Sequence, residues 1–324
     1  GKPPSYVGGG MGCRELTAEA IAEERNSWSA PWPYDAAEEG ERGEDGDEDE
    51  DDNDNNGDDS PSIPPSDRRW HTLTMSDTYQ EQNYVYRELL SSVGASQLHD
   101  PNALAMFVAD RPYFADALLQ LAMVLYHVGD RGKGGDLLRR CIFVYEAALP
   151  SNVLPNPNDG GGDDDSDDDV DKNGAEILID ADRHPNGGLF AALFRVMQTS
   201  GMSGCHANAL ATGRFLLSLD PLRDPTGCLP ILDYYALMAG RRARRTSGGA
   251  SRGAEDGAEY GAKFIVDLVD SKMVAVHHKD PLTDRHHRCD LADMPNWAFS
   301  YAMALRRLSL SDEEEGGDST EEGK

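Results

Sequence analysis

The chain has 324 residues, 39% of them hydrophobic, and a formal net charge of −29 at pH 7. This length allows two ordinary domains, but the apolar share is too low for the whole chain to fold around a core. Three stretches, 35–59, 159–171 and 312–322, hold 30 of the 59 acidic residues and one basic residue, Arg42. The remaining residues are close to neutral, so the negative charge belongs to these three stretches and not to the part of the chain that can fold.

We predict that these acidic stretches are disordered, because like charges repel and cannot bury enough apolar area to offset the entropy of the chain. Two interpretations of their role stay open. In one, they attract basic partners such as histones or ribosomal proteins. In the other, they are solvated linkers that have no specific partner.

Cysteine usage favours a reducing compartment. The cysteines are scattered and odd in number, which is not typical of a disulfide framework. They are Cys13, Cys141, Cys205, Cys228 and Cys289. No apolar run has the length of a membrane span, and no signal peptide stands at the start. Since the chain does not begin with Met, a missing targeting segment stays open.

In chain order, residues 1–34 are rich in Gly, Pro and Trp and are predicted to form an extended arm with a short helix around residues 15–24. An acidic disordered linker follows at 35–67. Helical spacing begins after Ser76, whose side chain suits a helix N-cap, and continues over residues 78–93.

The clearest pattern lies at residues 112–149. Apolar residues recur three or four positions apart up to Val128, Gly129 then ends the helix, and a second apolar stripe runs to Ala148. The segment GDRGKGG at 129–135 lacks the spacing of a phosphate-binding loop and does not follow a strand, so we interpret it as a turn. Two helices joined by a short turn form a helical hairpin.

The same pattern then repeats. A shift of 72 residues places Leu118 on Phe190 and Gly129 on Gly201, and a further shift of 39 places Phe190 on Leu229. Each unit without its insertion has the length of a tetratricopeptide-type repeat, ~34 residues. We therefore predict an all-α fold, a tetratricopeptide-like α-solenoid of helical hairpins interrupted by long disordered acidic loops. The residues expected to be buried in it are Leu118, Leu121, Leu193, Leu210, Leu217 and Tyr235.

The remaining segments complete the predicted organisation. EILID at 176–180 is the one segment with a strand pattern, residues 277–293 have the composition of a loop, and helices are predicted at 258–271 and 296–310. The predicted division comprises first helical repeats at 68–149, an acidic disordered loop at 150–176, middle helical repeats at 177–245, a flexible loop at 246–257, last helices at 258–310 and an acidic disordered tail at 311–324.

Two segments have a partial metal-ligand pattern. Residues 169–180 place carboxylates as a calcium-binding loop does, but position 12 is Asp180 in place of Glu and no entering helix precedes them. Residues 277–289 contain four histidines and Cys289, whereas structural zinc sites combine ligand pairs within a defined turn and helix. We interpret the first as an acidic turn and the second as a solvated loop, and we predict no metal and no cofactor.

Nothing in the sequence converges on catalysis. It has no zinc-protease helix motif and no cysteine in an activating frame, so we predict that the chain is not an enzyme. An enzymatic alternative needs a metal in the 277–289 segment. The basic run RRARR at 241–245 has two possible interpretations. In the functional one, it contacts RNA phosphate or serves as a nuclear import signal. In the structural one, it is a helix C-terminus at which the helix dipole favours basic residues.

Six segments occur in an order that resembles the transcription factor 25 family, whose fungal member is a subunit of the ribosome quality control complex. Three features together make the resemblance specific to this family: the helix start at Pro112–Tyr113, the turn at Gly204–Cys205 and the helix start at Pro295–Asn296. The segments are YVGGGMGCREL (6–16), HTLTMSDTYQEQNYVYREL (71–89), PYFADALLQLAMVL (112–125), ILIDADRHPNGGLFAALFRVM (177–197), GCHANALATGRFLLSLDPLRDP (204–225) and MPNWAFSYAMAL (294–305).

The resemblance implies a non-catalytic scaffold of ribosome-associated quality control. Family members associate with stalled large ribosomal subunits, act beside the listerin-type ubiquitin ligase, and help direct degradative ubiquitin chains onto trapped nascent polypeptides. Direct contact with ubiquitin stays open. Members are also described as nuclear proteins with a transcription-repressor label, so the resemblance implies both cytoplasmic and nuclear localisation. No membrane partner and no sequence-specific nucleic acid are expected.

The chain departs from the family pattern in lacking a lysine-rich N-terminal region, in turning acidic at Asp312, and in two insertion-like stretches at 150–176 and 241–257. One alternative is a nuclear transcriptional regulator or cofactor that acts through protein–protein contacts. Another is a co-chaperone-type repeat that grips peptide tails, although no basic carboxylate clamp is visible in the sequence. Partner contacts are expected at Pro112, Tyr113, Pro295, Asn296, Arg241, Arg242, Arg244 and Arg245.

Overall fold

The computed structural model describes residues 10–17, 20, 69–92, 101–149, 177–221, 224–239, 252–272, 274–279 and 286–316. Most of these residues are helical, which confirms the all-α class, and the strands among them form two small sheets. The stacking of hairpins into a solenoid stays a prediction. The acidic stretches 35–59 and 159–171 lie outside the described residues, whereas the stretch 312–322 is described up to residue 316, where it is helical. No helix in the described part of the chain is long and apolar enough to cross a membrane.

The chain divides into two compact units, which we describe separately. Unit 1 comprises Gly1–Thr17 and Asp67–Val196, and unit 2 comprises Ala18–Ser66 and Met197–Lys324. The elements of unit 1 are β1 (Met11–Glu15), β2 (Arg69–Met75), α1 (Asp77–Ser92), α2 (Pro101–Asp110), α3 (Ala115–Val128), α4 (Arg131–Ala148), β3 (Ile177–Ile179) and the first part of α5 (Asn186–Met202).

The sheet of unit 1 has the strand order β1-β2-β3. Strands β1 and β2 are antiparallel, with Cys13 opposite Leu73, and β2 and β3 are parallel, with Trp70 opposite Leu178. Strand β3 confirms the predicted extended segment. The short helix predicted around residues 15–24 is wrong at its start, because Glu15 lies in β1. The strand conformation depends on partners far away along the chain, which local spacing does not show.

An aromatic cluster joins the first three helices of unit 1. Tyr79 of α1 stacks on Phe114, with ring centroids 4.7 Å apart, and Tyr86 contacts both Phe107 and Phe114. The hydroxyl of Tyr79 also accepts a hydrogen bond from the backbone N–H of Ala115 at 3.0 Å. The cluster therefore fixes where α3 begins, and aromatic pairs of this kind stabilise a core beyond their buried area.

Helices α3 and α4 form the predicted hairpin. Gly129 has a φ of +93°, the left-handed conformation that commonly ends a helix at glycine. Asp130 caps the next helix by accepting a hydrogen bond from the backbone N–H of Lys133 at 3.1 Å. A Cβ added at Gly134 would lie 3.2 Å from the carbonyl oxygen of Ala122, so glycine permits the close approach of the two helices. The turn predicted at 129–135 is confirmed for residues 129–130, whereas residues 131–135 form the start of α4.

Unit 2 begins within α5 and contains helices that pack through small residues. Gly201 lies against the ring of Tyr235, and Gly213 lies against Leu232 and Met197. The further elements of unit 2 are α6 (His206–Leu219), α7 (Leu229–Met238), α8 (Arg252–Asp270), β4 (Ala275–Lys279), β5 (His286–Asp290), a 3-10 turn (Leu291–Asp293) and α9 (Pro295–Gly316).

The structure confirms several predictions in unit 2 and corrects others. Helices α8 and α9 confirm the segments predicted as helical near the C-terminus, but both are longer than predicted. Helix α8 begins at Arg252, inside the predicted flexible loop 246–257, and α9 continues to Gly316, inside the predicted disordered tail 311–324. The segment predicted as a loop contains an antiparallel pair, β4 and β5, with His278 opposite His287. The turn after α5 is at Gly204, with a φ of +74°, whereas Gly201 lies inside the helix. The six residues predicted to be buried are all buried, namely Leu118, Leu121, Leu193, Leu210, Leu217 and Tyr235.

Candidate binding sites

The first pair of predicted contact residues lies in unit 1. Pro112 and Tyr113 form the turn that leads into α3, and both are half-buried. The following residue, Phe114, is at the centre of the aromatic cluster, and its N–H donates to the carbonyl of Arg111 at 3.2 Å. The helix start at Pro112–Tyr113 is therefore explained first by packing, because it places Phe114 in the core.

The second pair lies in unit 2 at the start of α9. Asn296 donates from its side-chain amide to the carbonyl of Pro230 at 3.4 Å. Trp297 is fully buried, and its Nε1 donates to the carbonyl of Leu229 at 3.1 Å. The start of α9 thus docks on the start of α7, and only Pro295 of this pair is exposed. The structure assigns the two predicted pairs to different units.

The other predicted contact residues, Arg241, Arg242, Arg244 and Arg245, lie outside the described residues, as does most of the calcium-like segment. Its last residue, Asp180, is buried and accepts a hydrogen bond from the N–H of Asp182 at 3.1 Å, which is the behaviour of a turn residue. Among the described residues no group of three or more His, Cys, Asp or Glu side chains could hold a metal ion.

Unit 1 contains a cavity that the sequence did not indicate. It encloses about 180 Å³ between the first turn of α3, the first turn of α5 and the loop that follows β3. We call it the α3–α5 cavity. Its lining residues are Asp116, Ala181, Asp182, Arg183, His184, Pro185, Gly187 and Gly188.

A buried amide holds the loop side of the α3–α5 cavity in place. The Oδ1 atom of Asn186, which has no exposed surface, accepts a hydrogen bond from the backbone N–H of Leu73 at 2.8 Å. Its Nδ2 atom donates to the carbonyl of Asp180 at 2.7 Å. One side chain therefore ties β2, the end of β3 and the start of α5 together. Each of these bonds is formed away from water, where an unpaired partner would be costly.

The rim of the cavity carries an arginine–histidine contact. Arg87 of α1 and Nε2 of His184 are 3.1 Å apart. Arginine only donates hydrogen bonds, so Nε2 of His184 is the acceptor in this contact. The His184–Pro185 peptide bond is cis. The contact connects the loop with α1.

Asp116 is the carboxylate at the floor of the α3–α5 cavity. Burial raises its pKa above the ordinary value, while the nearby His184 and Arg87 act in the opposite direction. Its negative charge adds to burial in raising the pKa values of Tyr79 and Tyr86. The carboxylate is therefore partly desolvated in the folded chain.

Gly188 permits close packing of the start of α5 against Asp116 and Tyr145. A Cβ at this position would lie 2.9 Å from Oδ1 of Asp116 and would overlap the hydroxyl of Tyr145. Any larger residue would push against both groups, so glycine is needed here for space. Sequence spacing could not reveal this site, because its residues come from three helices and a loop. The available signal was that Arg87, Asp116 and His184 each lie inside a segment of the family resemblance.

Unit 2 exposes apolar side chains on several of its helices. Phe299 of α9 is 73% exposed, and Leu305 and Leu310 follow along the same helix. Tyr234 of α7 and Met202 of α5 are also exposed. Aromatic residues and methionine are enriched at protein–protein interfaces, whereas single exposed apolar residues are common on any surface. Helix α9 is therefore a candidate contact surface by residue type.

The comparison with protein families agrees with the resemblance. The model of the family Tcf25, described as "Transcriptional repressor TCF25", matches residues 77–322, which is more than half of the chain. The chain belongs to the Tcf25 family. The matched range contains all the residues of the α3–α5 cavity and the exposed residues of α9.

Curated relatives carry two kinds of name. "Ribosome quality control complex subunit TCF25" of Dictyostelium discoideum is 27% identical over 65% of this chain and 22% of its own length. "Probable transcription factor claV" of Ampulloclitocybe clavipes is 25% identical over 74% of this chain and 25% of its own length. "Ribosome quality control complex subunit 1" of Saccharomyces cerevisiae is 30% identical over 43% of this chain and 17% of its own length.

The chain thus spans a quarter or less of the length of these relatives. No solved structure gives a significant match to the chain. The family assignment therefore comes from sequence, and the architecture comes from the packing described above.

Proposed function

We propose that the chain acts as a non-catalytic scaffold in ribosome-associated quality control. The observation that carries the proposal is membership of the Tcf25 family together with relatives named as subunits of the ribosome quality control complex. The described part of the chain supports a role in binding, because its helices present apolar side chains at the surface and its polar cluster lines a cavity too small for most cofactors.

In finer terms, the chain contributes to binding stalled large ribosomal subunits, beside a listerin-type ubiquitin ligase, and assists ubiquitination of trapped nascent chains. The near-neutral charge of the folded part favours contacts with protein components over contacts with RNA phosphate, which require clustered basic residues. The proposed localisation is both cytoplasmic and nuclear.

Sedimentation tests this proposal. The tagged full-length protein is followed through a sucrose gradient prepared from cells in which translation is stalled, and the fractions are probed for the large subunit and the ligase. We expect migration with free large subunits and not with whole ribosomes. A protein that stays at the top of the gradient under these conditions contradicts the ribosome role.

A matched pair of variants connects the proposal with this chain. Phe299→Asp places a charge on the exposed face of α9 and should reduce the fraction that sediments with large subunits. Ser309→Asp, on the same helix and also exposed, is the control with the same added charge. Equal sedimentation of both variants and the unaltered protein would remove α9 from the contact surface without affecting the wider proposal.

A second candidate function is transcriptional regulation. It is favoured by the description of the family as a transcriptional repressor and by the relative named as a transcription factor. This function predicts nuclear accumulation that is lost in the double variant Arg241→Ala/Arg242→Ala, without any association with ribosomal subunits. Nuclear and gradient fractions of the same cells distinguish the two functions.

A further inference from the structure

We propose that Ser309 in helix α9 is a phosphorylation site for a basophilic serine kinase, and that the phosphate loosens the C-terminal end of this helix. The proposal goes beyond the function proposed above and does not depend on it. It is derived from the two arginines that precede Ser309, the exposure of this serine, and the acidic run that follows it.

The residues around Ser309 have the charge pattern that basophilic kinases select. Arg306 and Arg307 precede the serine by three and two positions, and Leu310 follows it. Kinases of this class distinguish substrates by charge, because carboxylates in their substrate cleft pair with arginine side chains at these positions. Guanidinium is suited to this pairing, since its planar fork matches a carboxylate with two parallel hydrogen bonds. The sequence before Ser309 therefore specifies the class of kinase.

The structure places the target hydroxyl at the surface, in a part of α9 with few buried contacts. Ser309 and Arg306 are exposed, and Leu310 is 50% exposed. Among the described side chains of α9, Ala304 is the last one that is fully buried. A helix end with few buried contacts opens locally at low cost. The segment after Ala304 can therefore adopt the extended conformation that a kinase cleft binds.

The acidic run at 312–315 weakens the same end of the helix. Helix α9 ends at Gly316, so the four acidic residues and this glycine are its last five residues. The C-terminal end of a helix carries a partial negative charge, and acidic residues near it are unfavourable. The last turn of α9 contains no basic residue that would offset them. This end of the helix is therefore weak before any phosphate is added.

The group transfer uses the serine hydroxyl and ATP. The Oγ atom of Ser309 attacks the γ-phosphorus, a new O–P bond forms, and the bond from this phosphorus to the bridging oxygen of the diphosphate breaks. ADP leaves, and the hydroxyl proton passes to the aspartate base of the kinase. In the unmodified chain this hydroxyl donates a hydrogen bond to the carbonyl of Arg306 at 3.0 Å. The transfer removes that hydrogen bond, because the ester oxygen has no proton.

The phosphate destabilises the end of α9 through its charge, which is about −1.5 to −2 at neutral pH. Residues three and four positions apart are neighbours on the surface of a helix. Positions 312 and 313, one turn after Ser309, are both acidic, whereas Arg306, one turn before it, is the basic neighbour. Like charges at this spacing destabilise a helix, and the helix dipole acts in the same direction. The unfavourable interactions therefore outnumber the favourable one.

The earlier part of α9 is expected to stay in place. Trp297 is fully buried, and Arg307 donates through Nη1 to the carbonyl of Leu237 at 2.9 Å, near the end of α7. Phe299 precedes Ser309 by ten residues, which is about 15 Å along the helix. This separation exceeds the screening length of about 8–10 Å at physiological salt. The effect of the phosphate should therefore be confined to residues 308–316.

Peptide mapping by mass spectrometry tests the proposal on two preparations of the full chain. One is isolated from its own cells in the presence of phosphatase inhibitors. The other is purified without phosphate and treated with ATP, magnesium and the catalytic subunit of cAMP-dependent protein kinase, which is a basophilic enzyme. Because Arg244 and Arg245 precede Ser247 with the same spacing, rates are measured in a Ser247→Ala background. We expect phosphate on Ser309 in both preparations.

Two arginine variants test the recognition. In Arg306→Gln the rate of phosphate transfer to Ser309 should fall about tenfold or more, because a charge-assisted pair with the kinase is lost. Arg139→Gln removes an equal charge from an exposed site on α4 and should change this rate by less than about twofold. Equal rates in the two variants would contradict recognition through the arginines.

Hydrogen exchange of the phosphorylated and unphosphorylated chains measures the effect on the helix. We expect the amides of residues 308–316 to exchange about threefold or more faster after phosphorylation, and those of residues 297–304 to be unchanged. Unchanged or slower exchange at 308–316 would contradict the loosening of α9. The absence of phosphate from Ser309 in either preparation would overturn the proposal, as would phosphate confined to Ser311, which acidic residues follow. Mapping of the unaltered chain locates the phosphate, so this result does not depend on the folding of any variant.

Discussion

The two units of this chain are both mainly helical, but they are held together by different interactions. In unit 1 a buried amide, Asn186, ties two strands to a helix through hydrogen bonds, and an aromatic cluster fills the space between α1, α2 and α3. In unit 2 glycine residues bring helices close together, and Trp297 fixes the start of α9 against α7.

A mainly helical unit can therefore be stabilised either by buried hydrogen bonds or by close packing of helices at small residues. Helix packing through small residues depends on shape, so its cost on mutation is a cavity or a steric overlap. A buried amide stabilises through hydrogen bonds, so its removal destabilises the fold by leaving the partner groups buried without a hydrogen bond. Variants in the two units should therefore lose stability for different reasons and by different amounts.

The largest effect is expected for Trp297→Ala in unit 2. The variant leaves a large cavity and also leaves the carbonyl of Leu229 without its donor, so the free energy of unfolding should fall by about 3–5 kcal/mol. Urea denaturation of the full chain measures the loss. Phe299→Ala, two residues further along α9 and 73% exposed, is the matched control and should change stability by less than about 0.5 kcal/mol. Similar losses in both variants would contradict the packing described for α9.

The next effect is expected for Asn186→Ala in unit 1. The change leaves the N–H of Leu73 and the carbonyl of Asp180 buried without their partner, which should cost roughly 2–4 kcal/mol. Hydrogen exchange should show the loss of protection in β2 and at the start of α5. Asn296→Ala removes a longer, half-exposed bond in unit 2 and should cost less than about 1 kcal/mol. A smaller effect for Asn186 than for Asn296 would show that the buried amide is not central to unit 1.

A smaller effect is expected for Gly261→Ala. The added Cβ would overlap the backbone carbonyl of Ala236 on α7, and backbone cannot move aside as a side chain can. We expect a loss of about 1–3 kcal/mol, which thermal denaturation measures. In Gly132→Ala the nearest atom is an Asp130 oxygen at 3.8 Å, so this variant of unit 1 should gain about 0.5–1 kcal/mol from helix propensity. A gain in both variants would contradict the close contact between α7 and α8.

The smallest effect, and one of opposite sign, is expected for Asp116→Asn. The pKa of Asp116 is raised in the folded chain, so ionisation of this group costs stability as pH rises through that value. The Asn variant should therefore be slightly more stable than the unaltered protein at neutral pH. The difference should vanish below 3.8, the ordinary aspartate value, where both side chains are uncharged. Denaturation midpoints at several pH values provide the measurement, and a less stable variant at neutral pH would contradict this assignment.

Sequence periodicity predicted the helices well where one stripe of apolar residues faces one core. The hairpin around Gly129 and the helix after Ser76 were predicted because helical hydrogen bonds and caps are local. Tyr79 donates its N–H to the Ser76 hydroxyl at 3.3 Å, which confirms that cap. Helix α2 was not predicted, since its ten residues are too few to show a clear repeat.

The candidate contact residues were only partly informative. Pro112 and Asn296 mark helix starts that are explained by internal contacts, and the basic run at 241–245 lies outside the described residues. The cavity residues were inside the matching segments, but nothing in their spacing distinguished them from ordinary turn residues.

The sequence by itself determined the helical class, the positions of most helices, the buried stripe and the family, because each of these depends on short-range spacing or on shared segments. Tertiary packing sets the position of β2 between β1 and β3, the hydrogen bonds by which Asn186 joins them to α5, and the cavity that Asp116 and His184 both line. These features are formed between residues far apart along the chain, such as Arg87 and His184, which are 97 positions apart. Local spacing carries no record of such contacts, since they are fixed by packing and by the need to pair buried polar groups.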